Sequence, residues 1–215
     1  HGTNRSFEWL ARLSTPDDNE GGAALAIDID NAGNIYAGGT VFRDTGALRF
    51  VNDAVVASFS PSGVQRWVDV VPGEADEAAR ITRIEADGLG AVYATGTFDR
   101  GWLTTKYADN GVVLWRNTLE PNTGAIAVDQ APLADGGGAV LGETVQFDNV
   151  NVRDATLVRF DSDGVLLWRR DFSNLATSTE QAADLSVDAA GNFYVTGLTA
   201  ENIESPHIPF LLRYS

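Results

Sequence analysis

The stretch FDSDGVLLW (residues 160–168) decides the fold, because the chain repeats its pattern twice more. FSPSGVQRW (59–67) and YADNGVVLW (107–115) share its aromatic residue, its glycine four positions later and its tryptophan four positions after that. A glycine that follows Asp, Asn or Ser and precedes an apolar run is typical of a β-hairpin turn with a positive φ. A calcium loop needs carboxylates at alternating positions and a later bidentate acid, whereas a strand begins here at once. We therefore predict three equivalent hairpins. We predict no cofactor: the acidic chain is compatible with calcium, but its sequence does not indicate a calcium site.

A second motif, Asp-x-x-Gly before an apolar strand, stands in constant phase with the first. Its aspartates are Asp30, Asp87, Asp135 and Asp188. Three of them follow a repeated tryptophan by 20 residues. Repetition in every unit favours a structural role, as side-chain caps of one recurring turn. The alternative is a ring of four carboxylates around a channel cation.

Each unit contains four short apolar runs bounded by Gly, Asp and Asn, without a helical period. In the second unit these runs are RITRIEA, AVYATGTF, WLTTKYA and VVLWRNTL. Such runs indicate β-strands, and a four-stranded meander repeated along the chain buries both of its faces by radial packing. We therefore predict an all-β, four-bladed β-propeller of four-stranded antiparallel blades, with strands a to d in each blade and one domain over residues 1–215.

The two ends of the chain predict how the ring closes. The blade repeats span residues 23–71, 80–119, 125–172 and 184–215. SFEWLARLS (6–14) resembles a strand d, with Trp9 in the place of the repeated tryptophan, and FLLRYS (210–215) resembles a strand c. The N-terminal strand d is therefore expected to complete the C-terminal blade.

These two motifs resemble those of the bacterial propeller-repeat proteins called SBBP repeats. The segments 30–39 and 188–197 match the Asp-x-x-Gly-Asn-aliphatic-Tyr-x-x-Gly pattern closely, and 87–96 departs only in lacking the Asn. The third unit departs from it, with Leu141 and Thr144 where Tyr and Gly are expected. The resemblance implies an extracellular, periplasmic or cell-surface bacterial protein whose repeats serve as binding or scaffold modules, with no shared catalytic residues.

Charge and composition narrow the range of partners. The chain has 30 acidic and 15 basic residues, a formal charge of −15, which repels nucleic acids and anionic membranes. No apolar run approaches the roughly 18 residues that cross a bilayer, so we expect no membrane insertion. There is no cysteine, and the two histidines are His1 and His207, so no Ser-His-Asp or histidine-rich metal grouping can be assembled.

The repeated tryptophans favour blade-to-blade packing over carbohydrate stacking, because one occurs in every outer strand. Trp102 differs, since it belongs to no repeated motif and lies beside the shortest connection between strands b and c. It is a candidate ligand contact or, alternatively, a cover over exposed core.

Function is expected where the repeat varies, and most of the variation falls in the b–c connections. In a propeller these open on the same face as the d–a connections. The candidate ligand-binding residues on this face are Arg49, Phe50, Trp102, Phe147, Arg153 and His207. We predict a non-catalytic binding, adhesion or scaffold module that recognises a protein or a glycan through this face.

Two further residues and two alternatives complete the prediction. Asp28 and Glu85 lie two residues before the repeated aspartates and are candidate polar groups of the channel. One alternative is a small propeller enzyme, a hydrolase or a quinone-type dehydrogenase, with acids at the channel mouth. The other is a structural subunit of a larger ring, fibre or surface array. A monomer is favoured over a half-ring dimer.

Overall fold

The structure is a computed structural model that describes residues 8–15, 21–46, 50–74, 78–119, 124–146, 149–173, 178–201 and 205–215. All regular structure in these ranges is β-strand, as predicted. Among these residues there is no helix long and apolar enough to cross a membrane.

Within the described residues, fifteen strands form four antiparallel sheets that follow one another along the chain. The first sheet contains β1 (Gly22–Ile29), β2 (Ile35–Asp44), β3 (Phe50–Phe59) and β4 (Gln65–Val71). The second contains β5 (Arg80–Ala86), β6 (Ala91–Phe98), β7 (Gly101–Ala108) and β8 (Val113–Leu119). The third contains β9 (Ile126–Pro132), β10 (Gly138–Gln146), β11 (Asn149–Phe160) and β12 (Leu166–Phe172). The fourth contains β13 (Thr179–Val187), β14 (Phe193–Ala200) and β15 (Ile208–Tyr214).

Each sheet is a meander in which neighbours in sequence are neighbours in space, and the first strands of successive sheets lie side by side: β1 with β5, β5 with β9 and β9 with β13. Hydrophobic clusters fill the junctions between the first and second, second and third, and third and fourth sheets. The architecture is therefore β-propeller-like, with the core lying between sheets.

The fourth sheet and the N-terminal segment differ from the rest of the fold. The fourth sheet begins at Thr179, whereas the fourth repeat begins at residue 184, and three described strands form it. Residues 8–15 form no strand, so the predicted pairing of the N-terminal segment with the fourth sheet is not observed. Ser14 instead exchanges two hydrogen bonds with the Gln65 side chain of the first sheet, at 2.9 and 2.8 Å.

The hairpin turns follow the local chemistry that the sequence predicts. Gly63, Gly111 and Gly164 have φ of 82°, 88° and 81°. Asp161 Oδ1 accepts hydrogen bonds from the backbone N–H groups of Asp163 and Val165. The acidic stretch 161–164 is therefore a capped turn, as the sequence predicts.

The aspartate caps form as predicted in the first and fourth sheets. Asp30 Oδ1 accepts from the backbone N–H groups of Ala32 and Asn34, and Oδ2 accepts from the Asn34 side chain and the Tyr36 hydroxyl. Asp188 makes the same four hydrogen bonds in the fourth sheet. In the second sheet, Asp87 caps the turn through two backbone N–H groups.

The third sheet does not follow the predicted register. Its turn is closed by hydrogen bonds from Leu133 N to Gly137 O and from Gly136 N to Leu133 O, which places Leu133 where Asp30 stands in the first sheet. The assignment of Asp135 to the repeated aspartates is therefore wrong by two residues. The run of glycines at 136–138 allows either register, and tertiary packing selects the one with Gly136 at positive φ (79°).

This shift changes which residue faces the fourth sheet. Tyr36 pairs with Asp28 and Ser58 in the first sheet. The residue at the same position in the third sheet is Ala139, which pairs with Ala131 and Arg159. The third sheet thus has a methyl group where the other three have a tyrosine ring.

Candidate functional site

Two of the residues predicted on the b–c loop face are exposed. Phe50 is 55% exposed at the start of β3, and His207 is exposed just before β15. Arg49 and Phe147 lie outside the described residues. The third b–c segment is mostly strand, because β10 and β11 extend toward each other and leave only residues 147–148 between them.

Trp102 is a core residue rather than a ligand contact on the rim. Its side chain is 1% exposed, and the indole Nε1 donates to the carbonyl oxygen of Glu143 at 3.3 Å. A Cβ at Gly142 would lie 2.5 Å from Cζ2 of this ring, so the third sheet packs directly against it. The two-residue turn at Asp99 and Arg100 places Trp102 inside the β6–β7 ladder, which turns the ring toward the third sheet.

Arg153 is held by an ion pair that sequence analysis missed. Its Nη1 lies 2.9 Å from Oε2 of Glu143, whose side chain is 12% exposed. Burial raises the pKa of Glu143, and the charge of Arg153 acts in the opposite direction. Arg153 therefore compensates a buried carboxylate, which no local sequence signal reveals because the two residues lie on different strands.

The predicted channel acids lie in a row of carboxylates on the first strands of the four sheets. Asp28 Oδ2 accepts from the N–H of Ala86 in the second sheet at 2.8 Å. Asp129 Oδ2 accepts from the N–H of Leu185 in the fourth sheet at 2.9 Å. Asp28 and Asp129 thus each link their own sheet to the next one.

Glu85 occupies the middle of this row. Burial, with the charges of Asp28 and Asp129, raises the pKa of Glu85 to about 7. Burial and the neighbouring Asp184 raise the pKa of Asp129, whereas its backbone hydrogen bonds lower it. Sequence analysis identified Asp28 and Glu85 but not Asp129 and Asp184. In the described part of the chain, no group of three or more His, Cys, Asp or Glu residues has the geometry of a metal site.

An open cleft of about 490 Å³ lies between the turns of the third and fourth sheets. Its lining includes Leu133, Asp135, Arg159, Val187, Asp188 and Phe193. The corresponding cleft between the first and second sheets measures about 200 Å³ and is lined in part by Tyr36. At the junction between the second and third sheets, Tyr93 occupies the corresponding position. Its hydroxyl donates to the carbonyl oxygens of Gly136 and Gly137. The large cleft therefore coincides with the sheet that lacks the tyrosine.

The polar groups of this cleft form one donor–acceptor pair. Arg159 Nη2 lies 2.5 Å from Asp135 Oδ2, and Arg159 Nε is buried without a hydrogen-bond partner. The backbone N–H of Gly137 and the guanidinium of Arg159 lower the pKa of Asp135. Hydrogen bonds within its own turn, with the Asn192 side chain first, lower the pKa of Asp188 to about 2. Both carboxylates are therefore ionised at neutral pH.

Asp188 is not free to bind a ligand, because both of its oxygens already accept two hydrogen bonds within the turn. Each Asp135 oxygen accepts one and retains a second lone pair. The exposed parts of the Arg159 guanidinium and of Asp135 thus present donors and acceptors side by side. Leu133, Val187 and the buried Phe193 supply apolar surface next to them.

Comparison with known proteins leaves the family undefined. No family model matches the chain, and no curated protein matches it. Among solved structures, the chain is similar to the endo-arabinase from Bacteroides thetaiotaomicron VPI-5482, with 12% identity and a TM-score of 0.41. The similarity covers 88% of this chain and 73% of the endo-arabinase chain. At this level of similarity, nothing about the activity of the endo-arabinase is transferred to this chain.

Proposed function

We propose that the chain is a non-catalytic binding module of the β-propeller type whose ligand is a neutral glycan. The observation that carries the proposal is the cleft between the third and fourth sheets, where Ala139 replaces the repeated tyrosine and the partly exposed Arg159–Asp135 pair lines the opening. A regular scaffold that departs from its repeat at one junction, and opens a cavity there, is where recognition is expected.

The Arg159–Asp135 pair in the cleft suits a neutral ligand with adjacent hydroxyl groups. The guanidinium of Arg159 and the carboxylate of Asp135 neutralise each other, so neither an anion nor a cation gains a net attraction from the pair. One hydroxyl can donate to Asp135 while its neighbour accepts from the exposed part of the Arg159 guanidinium. The apolar side chains of Leu133 and Val187 suit the C–H face of a sugar ring.

The test is calorimetric titration of the protein with linear neutral oligosaccharides of glucose, mannose, galactose, xylose and arabinose. Arg159→Ser, which installs the residue found at the same position in the first sheet, should weaken binding about 10- to 100-fold, the value of a lost charge-assisted hydrogen bond. Ala139→Tyr should fill the cleft and abolish binding. Arg213→Ser, at the position equivalent to Arg159 in the fourth sheet, is the matched control and should leave the affinity unchanged. Equal affinity of Arg159→Ser and the wild type would refute the site.

The enzyme alternative has its own supporting observation, the raised pKa of Glu85 between Asp28 and Asp129. A carboxyl group with a pKa of about 7 is suited to general acid catalysis at neutral pH. Release of reducing ends from the same oligosaccharides, lost in Glu85→Gln, would support a hydrolase in place of the binding module. We further propose that the chain belongs to the SBBP-type repeat proteins and is located outside the cytoplasm.

A further inference from the structure

One contact recurs at the junctions between successive sheets. Trp67 of the first sheet covers Gly111 of the second, and Trp115 of the second covers Gly164 of the third; a Cβ at either glycine would lie 2.6 Å from Cγ of the indole. The indole N–H groups donate to the carbonyl oxygens of Asp109 and Ser162 in the next sheet, at 2.8 and 3.1 Å. The tryptophan of an outer strand thus seats its own sheet on the hairpin turn of the following sheet.

Trp9 makes the same contact with the first sheet although it belongs to no strand. A Cβ at Gly63 would lie 2.8 Å from Cδ2 of Trp9, and Ser14 exchanges two hydrogen bonds with the side chain of Gln65 at the start of β4. This segment therefore lies where the outer strand of a preceding sheet would lie.

The fourth sheet has the complementary deficiency. Its β15 pairs with β14 on one side and with no described strand on the other. Leu211 of β15 is 73% exposed, whereas Val56 and Leu157, at the same register position in the first and third sheets, are 1% and 2% exposed. The face that every earlier sheet buries against its successor is therefore uncovered here.

The outer face of the first sheet is exposed in the corresponding way. Ile27 is 69% exposed, whereas Ile84 and Leu185, at the same position in the second and fourth sheets, are each 8% exposed against the preceding sheet. Leu25 and Ile29 on the same strand are also exposed. The first and fourth sheets thus present the two halves of one internal junction.

We propose that a second copy of this chain occupies these surfaces head to tail. Segment 8–15 of one copy pairs with the free edge of β15 in the other, and Ile27 of the first packs against Leu211 of the second. Trp9 keeps its contact with Gly63 of its own copy, as each internal tryptophan keeps its contact with the following sheet. Two copies joined at both junctions form a ring of eight sheets, because a head-to-tail interface is satisfied only when the ring closes. The partner is a second copy because the two exposed surfaces reproduce a junction that the chain already builds three times within itself.

The experiment measures mass by light scattering at several protein concentrations, with variants that block one surface each. The wild type should have twice the monomer mass, and Leu211→Asp and Ile27→Asp should each be monomeric. An equimolar mixture of the two variants should associate through one junction, more weakly than the wild type, since Ile27 of the Leu211→Asp copy can still pack against Leu211 of the Ile27→Asp copy. The other junction of the mixed pair carries both aspartates and stays open. Leu89→Asp, which changes an equally exposed residue in a turn of the second sheet, should keep the mass of the wild type.

Each contrary result overturns the proposal in a different way. A monomeric wild type would mean that segment 8–15 closes the ring on β15 of its own chain, or that the edge stays open. A dimer that survives both substitutions would place the interface elsewhere. Mixed variants that associate no more than either variant alone, with circular dichroism showing both folded, would exclude the head-to-tail arrangement, because one junction of the mixed pair is intact. None of these measured masses depends on glycan binding, so each of the two proposals can fail without the other.

Discussion

Trp115 lies directly over Gly164 across the junction between the second and third sheets, so close that a Cβ at Gly164 would be 2.6 Å from the indole Cγ. The same glycine has a φ of 81°, a backbone conformation that residues other than glycine rarely adopt. The hairpin turn and the seating of one sheet on the next therefore depend on one absent side chain.

Gly164→Ala should consequently lower the free energy of unfolding by about 2–4 kcal/mol, from backbone strain and overpacking together. Urea denaturation followed by tryptophan fluorescence measures this change. Gly191→Ala is the matched control, because Gly191 has the same φ but nothing within 4 Å of an added Cβ. It should cost only the strain, about 1 kcal/mol. Equal losses in the two variants would show that the indole contact contributes nothing.

Trp102→Ala tests whether this residue serves the core. Because the ring is 1% exposed and packs on Gly142, its removal should lower the free energy of unfolding by about 3–5 kcal/mol. Phe50→Ala, at an aromatic residue that is 55% exposed, should change stability by less than about 1 kcal/mol. Thermal unfolding of the two variants beside the wild type makes the comparison. A Trp102→Ala variant as stable as the wild type would show that Trp102 does not stabilise the core and would make it a candidate ligand contact again.

Glu85 should make stability depend on pH. Its pKa is about 7 in the folded protein and near 4.5 when unfolded, so the folded state holds the proton more tightly. The stabilisation that Glu85 contributes is therefore fully present below pH 4.5 and is lost as the pH rises through 7. Between pH 5 and 8 the wild type should lose about 1–2 kcal/mol through this group, a value reduced for its partial exposure.

Glu85→Gln should remove that dependence and stabilise the protein at pH 8, as measured by urea denaturation at both pH values. Glu201→Gln removes an acid at an exposed site and controls for net charge. If both variants keep the wild-type pH profile, the row of acids on the first strands does not interact as described.

The Arg153–Glu143 pair predicts a compensating pair of substitutions. Arg153→Ala leaves a carboxylate with a 12% exposed side chain without its counter-ion and should cost about 2 kcal/mol at pH 8, less than a fully buried pair. The loss should be smaller at pH 5, because without Arg153 the pKa of Glu143 rises and the group takes up a proton. Adding Glu143→Gln to Arg153→Ala should recover most of the loss at pH 8. Additive losses in the double variant would show that the two residues do not interact.

The sequence by itself determined the features that are local or repeated. An aromatic residue, a turn glycine and a tryptophan at constant spacing specify a hairpin, since turn geometry and strand alternation depend on neighbours within a few residues. Repetition of that unit determined the succession of antiparallel sheets and the packing role of the tryptophans. The caps at Asp30 and Asp188 were predictable for the same reason, because each carboxylate bonds only within its own turn and strand.

Only the tertiary structure decided what depends on contacts between sheets. It placed Leu133 rather than Asp135 at the turn position, buried Trp102 and paired Arg153 with Glu143. It also showed that the free surfaces of Ile27 and Leu211 match the internal junctions. The physical reason is that burial and ion pairing are set by side chains on neighbouring strands and sheets, often 40 to 60 positions away in the chain. A local pattern places a residue in a strand, but the neighbouring sheet determines whether that residue is core, partner or open surface.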